Sequence, residues 1–404
     1  MAAEADQAAP RRARIPGGIW ALGFVSLLMD VSSEMIHALL PIYMVAVLGT
    51  SVLAVGIIEG IAEATAAIVK IFSGAISDWL GKRKLLAVIG YGLGAITKPI
   101  FPLMPVLEWL VAARFIDRVG KGIRGAPRDA LVADIAPKEL RGAAFGLRQT
   151  LDTIGAFMGP LLAIGFMWML ADNFQAVFWI AVIPGFLSVI VLLCFVREPP
   201  RQAAAKPARL PLNRADLARL GRRYWAVVAV AGVFTLARFS EAFLLLRAQE
   251  FGLALHLTPL VLVVMSVAYS LSSYPVGVIS DRMDRSALLV IGLLLLVAAD
   301  LVLAFAPNLV VLSLGLVLWG LHMGCSQGLI ATLVADAAPP ELRGTAFGML
   351  NLLTGLALLV ASVLAALLWD GIGSTATFLT GAVFTLLACA GLVLLRRRGL
   401  LAEG

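Results

Sequence analysis

Acidic side chains and a histidine interrupt the first long apolar stretch of the chain at helical spacing. Asp30, Glu34 and His37 are four and three residues apart, so on a helix they lie within about 60° of one another, on one face. An ionisable residue at bilayer depth costs about 2.5–3.5 kcal/mol on insertion scales, so each one needs a compensating role. Because burial favours the neutral form of a carboxyl group, such a side chain can take up and release a proton. We therefore predict Asp30 and Glu34 as the leading proton-carrying residues.

Other apolar stretches carry ionisable side chains in the same way. Asp117 and Asp152 are the next proton-carrying candidates, and Glu59 and Glu63 share one helix face. Opposite charges in such places either pair between helices and hold them together, or line a polar pathway that binds substrate and protons. Both interpretations stay open, and one residue can do both. The candidates for the pathway are His37, Glu59, Glu63, Arg148, Arg238, Glu241, His322 and Cys325.

Basic side chains near the ends of the apolar stretches are expected to reach water. Lys121, Arg124 and Arg128 are expected to do so on one side of the membrane, and Lys98 near the opposite side.

Soft ligands occur together in one later stretch, at His322, Met323 and Cys325. Such groups could bind a soft cation or a metalloid, such as copper(I) or arsenite. The alternative is that the Met and Cys side chains fill space while the His forms a hydrogen bond to a neighbouring helix. No metal site is assigned to these weak candidates, and the three cysteines of the chain predict no disulfide framework.

The elements that position these residues follow from the composition. Of the 404 residues, 61% are hydrophobic and only 14% are charged, and the mean hydropathy is +0.96. These values lie outside the range of soluble domains and exclude disordered, coiled-coil and disulfide-rich chains. The apolar stretches span residues 19–47, 52–72, 85–105, 106–123, 143–170, 175–196, 225–247, 257–279, 287–306, 309–334, 344–369 and 373–395. The sequence therefore predicts an integral membrane protein with about twelve spans.

Basic residues alternate from loop to loop. Lysine and arginine occur before the first span, after each even-numbered span and in the polar stretch between the two sets of six, whereas the other loops carry none. By the positive-inside rule, both termini are cytoplasmic and the protein lies in the inner membrane. The predicted divisions are a cytoplasmic tail (1–18), a six-helix half (19–196), a cytoplasmic linker (197–223), a second six-helix half (224–395) and a second cytoplasmic tail (396–404).

The chain repeats itself between the two halves. Residues 131–147 read LVADIAPKELRGAAFGL and residues 333–349 read LVADAAPPELRGTAFGM, which are identical at thirteen of seventeen positions. Two halves with the same number of spans and the same orientation indicate a parallel duplication, which is one architecture of secondary transporters.

The segment that follows the second span, Gly74-Ala-Ile-Ser-Asp78-Trp-Leu-Gly81-Lys-Arg83-Lys, resembles the cytoplasmic signature of the major facilitator superfamily. The resemblance implies an all-α integral membrane fold of twelve transmembrane helices in two six-helix halves. It also implies that Gly74, Asp78, Gly81 and Arg83 form a gate motif that latches the two halves on the cytoplasmic side.

The fifth span carries a second signature. Gly146, Gly155, Gly159 and Pro160 are similar in spacing to the motif of proton-coupled exporters such as drug:proton antiporters. The alternative is that these small residues only serve helix packing. Arg114 matches the position of an arginine that such exporters associate with proton coupling, which makes it a further proton-coupling candidate.

Together these features predict a secondary active transporter that exports a small toxic solute, either drug-like or a metal or metalloid, in exchange for protons by alternating access. The alternative is a proton-coupled importer of a small organic anion or zwitterion. An enzyme is not expected, because the chain has no HExxH motif, nucleophile elbow or Walker loop. The expected partners are a small-molecule or ion substrate, protons and the lipid bilayer, with no cofactor and no nucleic acid, and we expect a monomer.

Overall fold

Twelve long α-helices make up most of the computed structural model. It describes residues 15–137, 140–199, 217, 219–280, 285–339 and 342–398, so most of the predicted linker and most of both predicted tails lie outside the described residues. The helices are α1 (Gly17–Ile42), α2 (Val52–Leu80), α3 (Arg83–Thr97), α4 (Leu107–Ile135), α5 (Arg141–Met169), α6 (Phe174–Phe195), α7 (Arg222–Ala237), α8 (Leu260–Ser280), α9 (Arg285–Phe305), α10 (Leu309–Ala337), α11 (Arg343–Gly371) and α12 (Ser374–Arg397). The predicted all-α fold is confirmed.

Several helices differ from the predicted spans in length. The span predicted at 106–123 continues as α4 to Ile135, and five helices, α2, α4, α5, α10 and α11, have 29 residues each. A helix of that length reaches about 44 Å and extends beyond a hydrocarbon core of about 30 Å. Hydropathy locates only the part of such a helix that lies in lipid, which explains the difference.

Three helices end in a change of geometry. A π-helical turn, Tyr43–Val47, continues α1, and a short helix, Ile100–Leu103, follows α3. The span predicted at 225–247 is broken, because α7 ends at Ala237 and a second segment begins at Ala242 and ends at Gln249. Arg238 and Glu241 lie in this break.

Eleven spans in the described residues are long and apolar enough to cross a membrane. The helix outside this set is α4, which carries Arg114, Asp117, Arg118 and Lys121 within eight residues. Charged side chains on such a helix must find partners on its neighbours, so α4 is the helix around which ion pairs are expected.

Packing follows the two sequence halves. In the first half α1 lies against α5 and α6, while α4 lies against α2 and α3; in the second half α10 lies against α8 and α9, while α12 lies against α7 and α9. The halves meet where α2 contacts α11 and where α5 contacts α8. At the first of these contacts an ideal Cβ on Gly56 would lie 2.8 Å from the Ser362 carbonyl oxygen, so glycine is needed for the close approach.

The two ends of the helix bundle differ. We call the end that carries the α2–α3 loop and the polar linker the linker face, and the opposite end the far face. On the far face the two halves are joined, because the Leu53 backbone N–H donates to Asp370 Oδ2 (3.0 Å) and His256 lies 3.4 Å from Asp172. Toward the linker face the halves separate around a cavity.

Candidate functional site

A central cavity of about 830 Å³ lies between the two halves. Helices α1, α2, α4 and α5 form one wall, and α7, α10 and α11 form the other. The cavity extends from the middle of the bundle, at Glu34 and Trp319, to the linker-face ends of the helices, at Arg128 and Phe347. The predicted candidates that line it are Asp30, Glu34, His37, Glu63, Asp152, Arg238 and Glu241.

Two carboxyl groups face each other on the first-half wall. The carboxyl groups of Asp30 on α1 and Asp152 on α5 are direct neighbours, placed to share a hydrogen bond. A hydrogen bond between two carboxyl groups requires one proton, because two carboxylates can only accept. The pair therefore provides a place for one proton at the surface of the cavity.

Glycines of α5 bring this pair together. An ideal Cβ on Gly155 would lie 2.6 Å from the Leu27 carbonyl oxygen and 3.1 Å from Asp30 Cβ. An ideal Cβ on Gly159 would lie 2.6 Å from Glu34 Cβ. The 2.6 Å distance at each glycine is shorter than a Cβ tolerates, so the α1–α5 crossing depends on these two glycines. The exporter-like motif thus places α5 against the two leading proton-carrying candidates, while its Gly146 has no atom within 4 Å of an ideal Cβ.

The two carboxyl groups differ in their cationic neighbours. Asp152 lies 3.4 Å from Arg128 Nη1 and 3.4 Å from Arg148 Nη2, and Asp129 lies 3.1 Å from both arginines. Asp30 has no ion pair among the residues that the structure describes. Because the arginines stabilise the charged form of Asp152, Asp30 is the better proton acceptor of the two.

An ion-pair network surrounds α4 beside the cavity, and its members His37, Glu63 and Arg118 also line the cavity. Arg114 Nη2 donates to Glu59 Oε2 (2.6 Å) and to His37 Nδ1 (2.7 Å). One turn further along α4, Arg118 donates to Glu63 Oε1 (3.1 Å) and to Asp117 Oδ2 (3.1 Å). The pairing interpretation therefore applies to this set of residues.

Lys98 extends the network from α3. Its Nζ donates to Asp117 Oδ1 (2.9 Å) and to Ser33 Oγ (3.0 Å), and the residue is 2% exposed. The expectation that Lys98 reaches water is wrong, since its partner on α4 holds it in the interior. Glu59, Arg114 and Asp117 are also buried and do not line the cavity.

The second-half wall is mainly apolar and aromatic, with Thr235, Asn351 and Thr354 as its polar residues outside the break in α7. Arg238 and Glu241 project from the break into the cavity, with the Arg238 guanidinium 5.8 Å from the centre of the Phe234 ring. Phe239 and Trp319 pack against each other beside them (ring centroids 5.6 Å apart). An amphipathic molecule could place charged groups on the first-half wall and its apolar body on these rings.

The soft-ligand candidates do not form a cluster. His322 is fully buried between the rings of Phe234 and Trp319, 3.4 Å from Ser326 Oγ. Cys325 packs against α9 at Gly292. Neither residue lines the cavity, and the described part of the chain holds no group of three or more His, Cys, Asp or Glu side chains suited to a metal ion.

The predicted gate motif lies at the end of α2. Gly81 adopts a left-handed conformation (φ 63°) that ends the helix, and an ideal Cβ on Gly74 would lie 3.4 Å from Ala126 on α4. Arg83 Nη1 donates to the Ala130 carbonyl oxygen (2.9 Å) and forms an ion pair with Asp134. The side chain of Asp78 lies outside the described residues.

Glu198, where the linker begins, closes the same loop. Its carboxylate accepts the backbone N–H groups of Arg83 (2.7 Å) and Lys84 (3.1 Å). These contacts join the first half to the start of the linker.

The sequence prediction did not single out Asp129, Asp134 and Asp300, and it misplaced Lys98. Lys98 and Asp300 each interrupt an apolar run, which was the available signal for both. Asp134 lies in the repeated LVAD segment, and Asp129 lies on the α4 stretch predicted to reach water.

Comparison with known proteins gives a consistent result. The model of the Major Facilitator Superfamily matches residues 22–246 and 224–402. An uncharacterized MFS-type transporter of Methanocaldococcus jannaschii, MJ1317, is 34% identical over 387 residues, covering 93% of this chain and 94% of that protein. The multidrug resistance protein MdtL of Escherichia coli is 26% identical over 281 residues, covering 68% of each chain.

Solved structures agree in fold. A POT family transporter in complex with 5-aminolevulinic acid superimposes with a TM-score of 0.81, covering 96% of this chain and 97% of that one at 14% identity. The chain is therefore a secondary transporter that belongs to the Major Facilitator Superfamily.

Proposed function

We propose that this transporter exports a small toxic solute across the inner membrane in exchange for protons. The observation that carries the proposal is the Asp30–Asp152 carboxyl pair on the wall of the central cavity, assembled by Gly155 and Gly159 of the exporter-like motif. The similarity to the multidrug resistance protein MdtL supports export.

The mechanism would use the two faces of the molecule in alternation. If the basic loops are cytoplasmic, the cavity opens to the cytoplasm and the far face is closed. A solute that enters would bind near Asp30 and favour the loss of its proton to the cytoplasm. Once the cavity opens on the far side, a new proton would bind the pair and release the solute. Such coupling requires only that solute and proton bind the two states with different affinities.

A drug-like organic solute fits the cavity better than a metal or metalloid does. Its first-half wall carries both signs of charge, and its second-half wall presents Phe234, Phe239 and Trp319. The soft ligands Cys325 and His322 lie outside that lining. These features favour an amphipathic organic cation or zwitterion as the exported solute.

A resistance profile tests this proposal. Cells that lack their own exporters and express the chain would be challenged with organic toxicants, arsenite and copper, and cells expressing Asp30→Asn would be the control. We expect resistance to one or more amphipathic organic compounds, lost in the Asp30→Asn cells at equal protein level. Sensitivity equal to that of cells without the chain for every compound would contradict export.

Import of a small organic anion or zwitterion is the second candidate. Lys70, Lys121 and Arg124 line the cavity and have no ion pair in the described residues, so an anionic group has cationic partners there. Accumulation of the identified solute in vesicles under pH gradients of opposite direction distinguishes the two candidates. Solute movement opposite to the proton flow indicates export by exchange. Solute movement in the same direction as the proton flow indicates import.

We also infer the arrangement in the cell from the sequence. Both termini and the linker (197–223) are placed in the cytoplasm, the halves span 19–196 and 224–395, and the protein acts as a monomer. The alternation of basic loops supports the orientation.

A further inference from the structure

A carboxyl group that the proposed mechanism does not use is buried in the second half. Asp300 lies on α9 and is fully buried, and neither of its oxygens has a hydrogen-bond partner among the described residues. Buried polar groups are hydrogen-bonded in nearly all cases, so this side chain needs an explanation.

Asp300 lies one aromatic ring away from the central cavity. An ideal Cβ on Gly381 of α12 would lie 2.9 Å from Asp300 Oδ2 and 3.3 Å from the ring of Phe239. Glycine at position 381 therefore leaves room for the carboxyl group, and Phe239 lies next to it. Phe239 belongs to the break in α7 and lines the cavity, so its ring adjoins both the cavity and the surroundings of Asp300.

Ionisable groups on the neighbouring elements are engaged elsewhere. On α10, His322 lies beside Ser326 and the ring of Trp319, and Cys325 contacts α9 at Gly292, two turns from Asp300.

The ionisable groups on two other neighbouring elements, the segment after the α7 break and α12, are likewise engaged elsewhere or distant from Asp300. Arg247, in the segment after the α7 break, forms an ion pair with Glu250 and donates to the Leu303 and Ala304 carbonyl oxygens. On α12, Cys389 is two turns from Gly381 and Arg396 lies at the helix end. Within the described ranges Asp300 forms neither an ion pair nor a hydrogen bond.

We propose that Asp300 is a second proton-binding site of this transporter, located in the second half and closed off from the cavity by Phe239. An unpaired carboxylate in an apolar interior is strongly disfavoured, so in this conformation Asp300 carries a proton and is neutral. The proton binds the carboxylate oxygen from cavity water when the Phe239 ring moves, and leaves by the same route. The site itself does not depend on the proposed export, whereas its use in transport rests on that function.

The break in α7 provides a route for releasing this proton. Arg238 precedes Phe239 and has no ion pair in the part of the chain that the structure describes. If the break moves as the far face opens, Arg238 would be available to stabilise the Asp300 carboxylate. Protonation of Asp300 would therefore favour the conformation with the open linker face. Loss of the proton would favour the conformation with the open far face.

Infrared spectroscopy of the full chain in lipid nanodiscs tests the site without a solute. Protonated carboxyl groups give a carbonyl stretch that is distinct from the carboxylate bands and shifts in D₂O. We expect Asp300→Asn to remove one such band and Asp30→Asn to remove a different one. The Asp300 band should shift slowly in D₂O, and Phe239→Ala should accelerate that shift by about tenfold or more, since exchange follows the free energy of local opening. Phe347→Ala, which removes another ring of the cavity, should leave the rate of the Asp300 band shift unchanged.

Two outcomes would overturn the proposal. One is an Asp300→Asn spectrum with every protonated-carboxyl band of the parent protein, and the other is equal exchange rates with and without the Phe239 ring. If Asp300→Asn fails to fold, Asp300→Leu serves instead, because an apolar residue removes the buried polar group and should preserve the fold. Loss of export in Asp30→Asn with the Asp300 band intact would separate this site from the proposed transport mechanism.

Discussion

Many buried charges of the first half pair across helices. Lys98, Asp117 and Arg118 form one continuous set on α3 and α4, and each is 2% exposed. Removing one member would leave an uncompensated charge in the interior, which costs more than the pair contributes. This network should therefore control stability, whereas Asp30 and Asp152 should control transport.

Lys98→Met tests the structural part of that division. The substitution keeps the volume of the side chain but leaves Asp117 without its amine partner, and we expect a loss of about 3–5 kcal/mol in the free energy of unfolding. Denaturant titration in detergent micelles measures it. The double variant Lys98→Met/Asp117→Leu should recover part of the loss, and a single variant as stable as the parent protein would contradict the role of the pair.

At the scale of elements, the crossing of α1 and α5 positions the carboxyl pair. Gly155 and Gly159 face the α1 backbone and side chains at Asp30 and Glu34, so the two helices approach as closely as their backbones allow. A methyl group has no free space at either position. The nearest atom is a backbone oxygen at Gly155 and the Cβ of Glu34 at Gly159.

Gly155→Ala should therefore separate α1 from α5 and weaken the Asp30–Asp152 hydrogen bond. We expect most proton-driven transport to be lost while the protein still reaches the membrane. Gly146→Ala is the matched control, because its new methyl group meets no atom within 4 Å and activity should stay at the parent level. Equal activity of the two variants in vesicles would show that the crossing does not position the pair.

Sequence patterns predicted the elements better than their contacts. Spacing placed Asp30 and Glu34 on one face, and the small-residue motif marked α5 as a helix whose packing or function depends on glycine. The sequence could not reveal that Asp117 binds Lys98 or that Asp152 faces Asp30, because such contacts join residues on different helices. The break in α7 also went unpredicted, since no proline or glycine occurs between Arg238 and Glu241.

At the scale of the whole molecule, the two halves are joined on the far face and separated on the linker face. Asp370 at the end of α11 accepts the Leu53 backbone N–H at the start of α2, and His256 Nδ1 lies 3.4 Å from Asp172 Oδ1 between the loops. These polar contacts are exposed or half-buried, so each contributes modestly and the closure can be reversed. That reversibility is what alternating access requires.

Weakening the far-face closure should shift the population of the two states. In a background without the three native cysteines, Asn351→Cys places a thiol in the cavity and should react with a membrane-impermeant maleimide added from the linker side. Adding Asp370→Ala should lower that labelling, because the linker-open state loses one of its far-face contacts. Labelling that is unchanged by Asp370→Ala, or that occurs only from the far side, would contradict this assignment of the faces.

The central claim is that the Asp30–Asp152 pair carries the coupled proton. The most direct measurement follows the solute identified by the resistance profile in proteoliposomes, comparing accumulation driven by a pH gradient with downhill exchange at equal pH. For Asp30→Asn we predict that gradient-driven accumulation disappears while downhill exchange persists, because the solute site remains and only the proton site is lost. Gradient-driven accumulation by Asp30→Asn at the parent level would contradict the account.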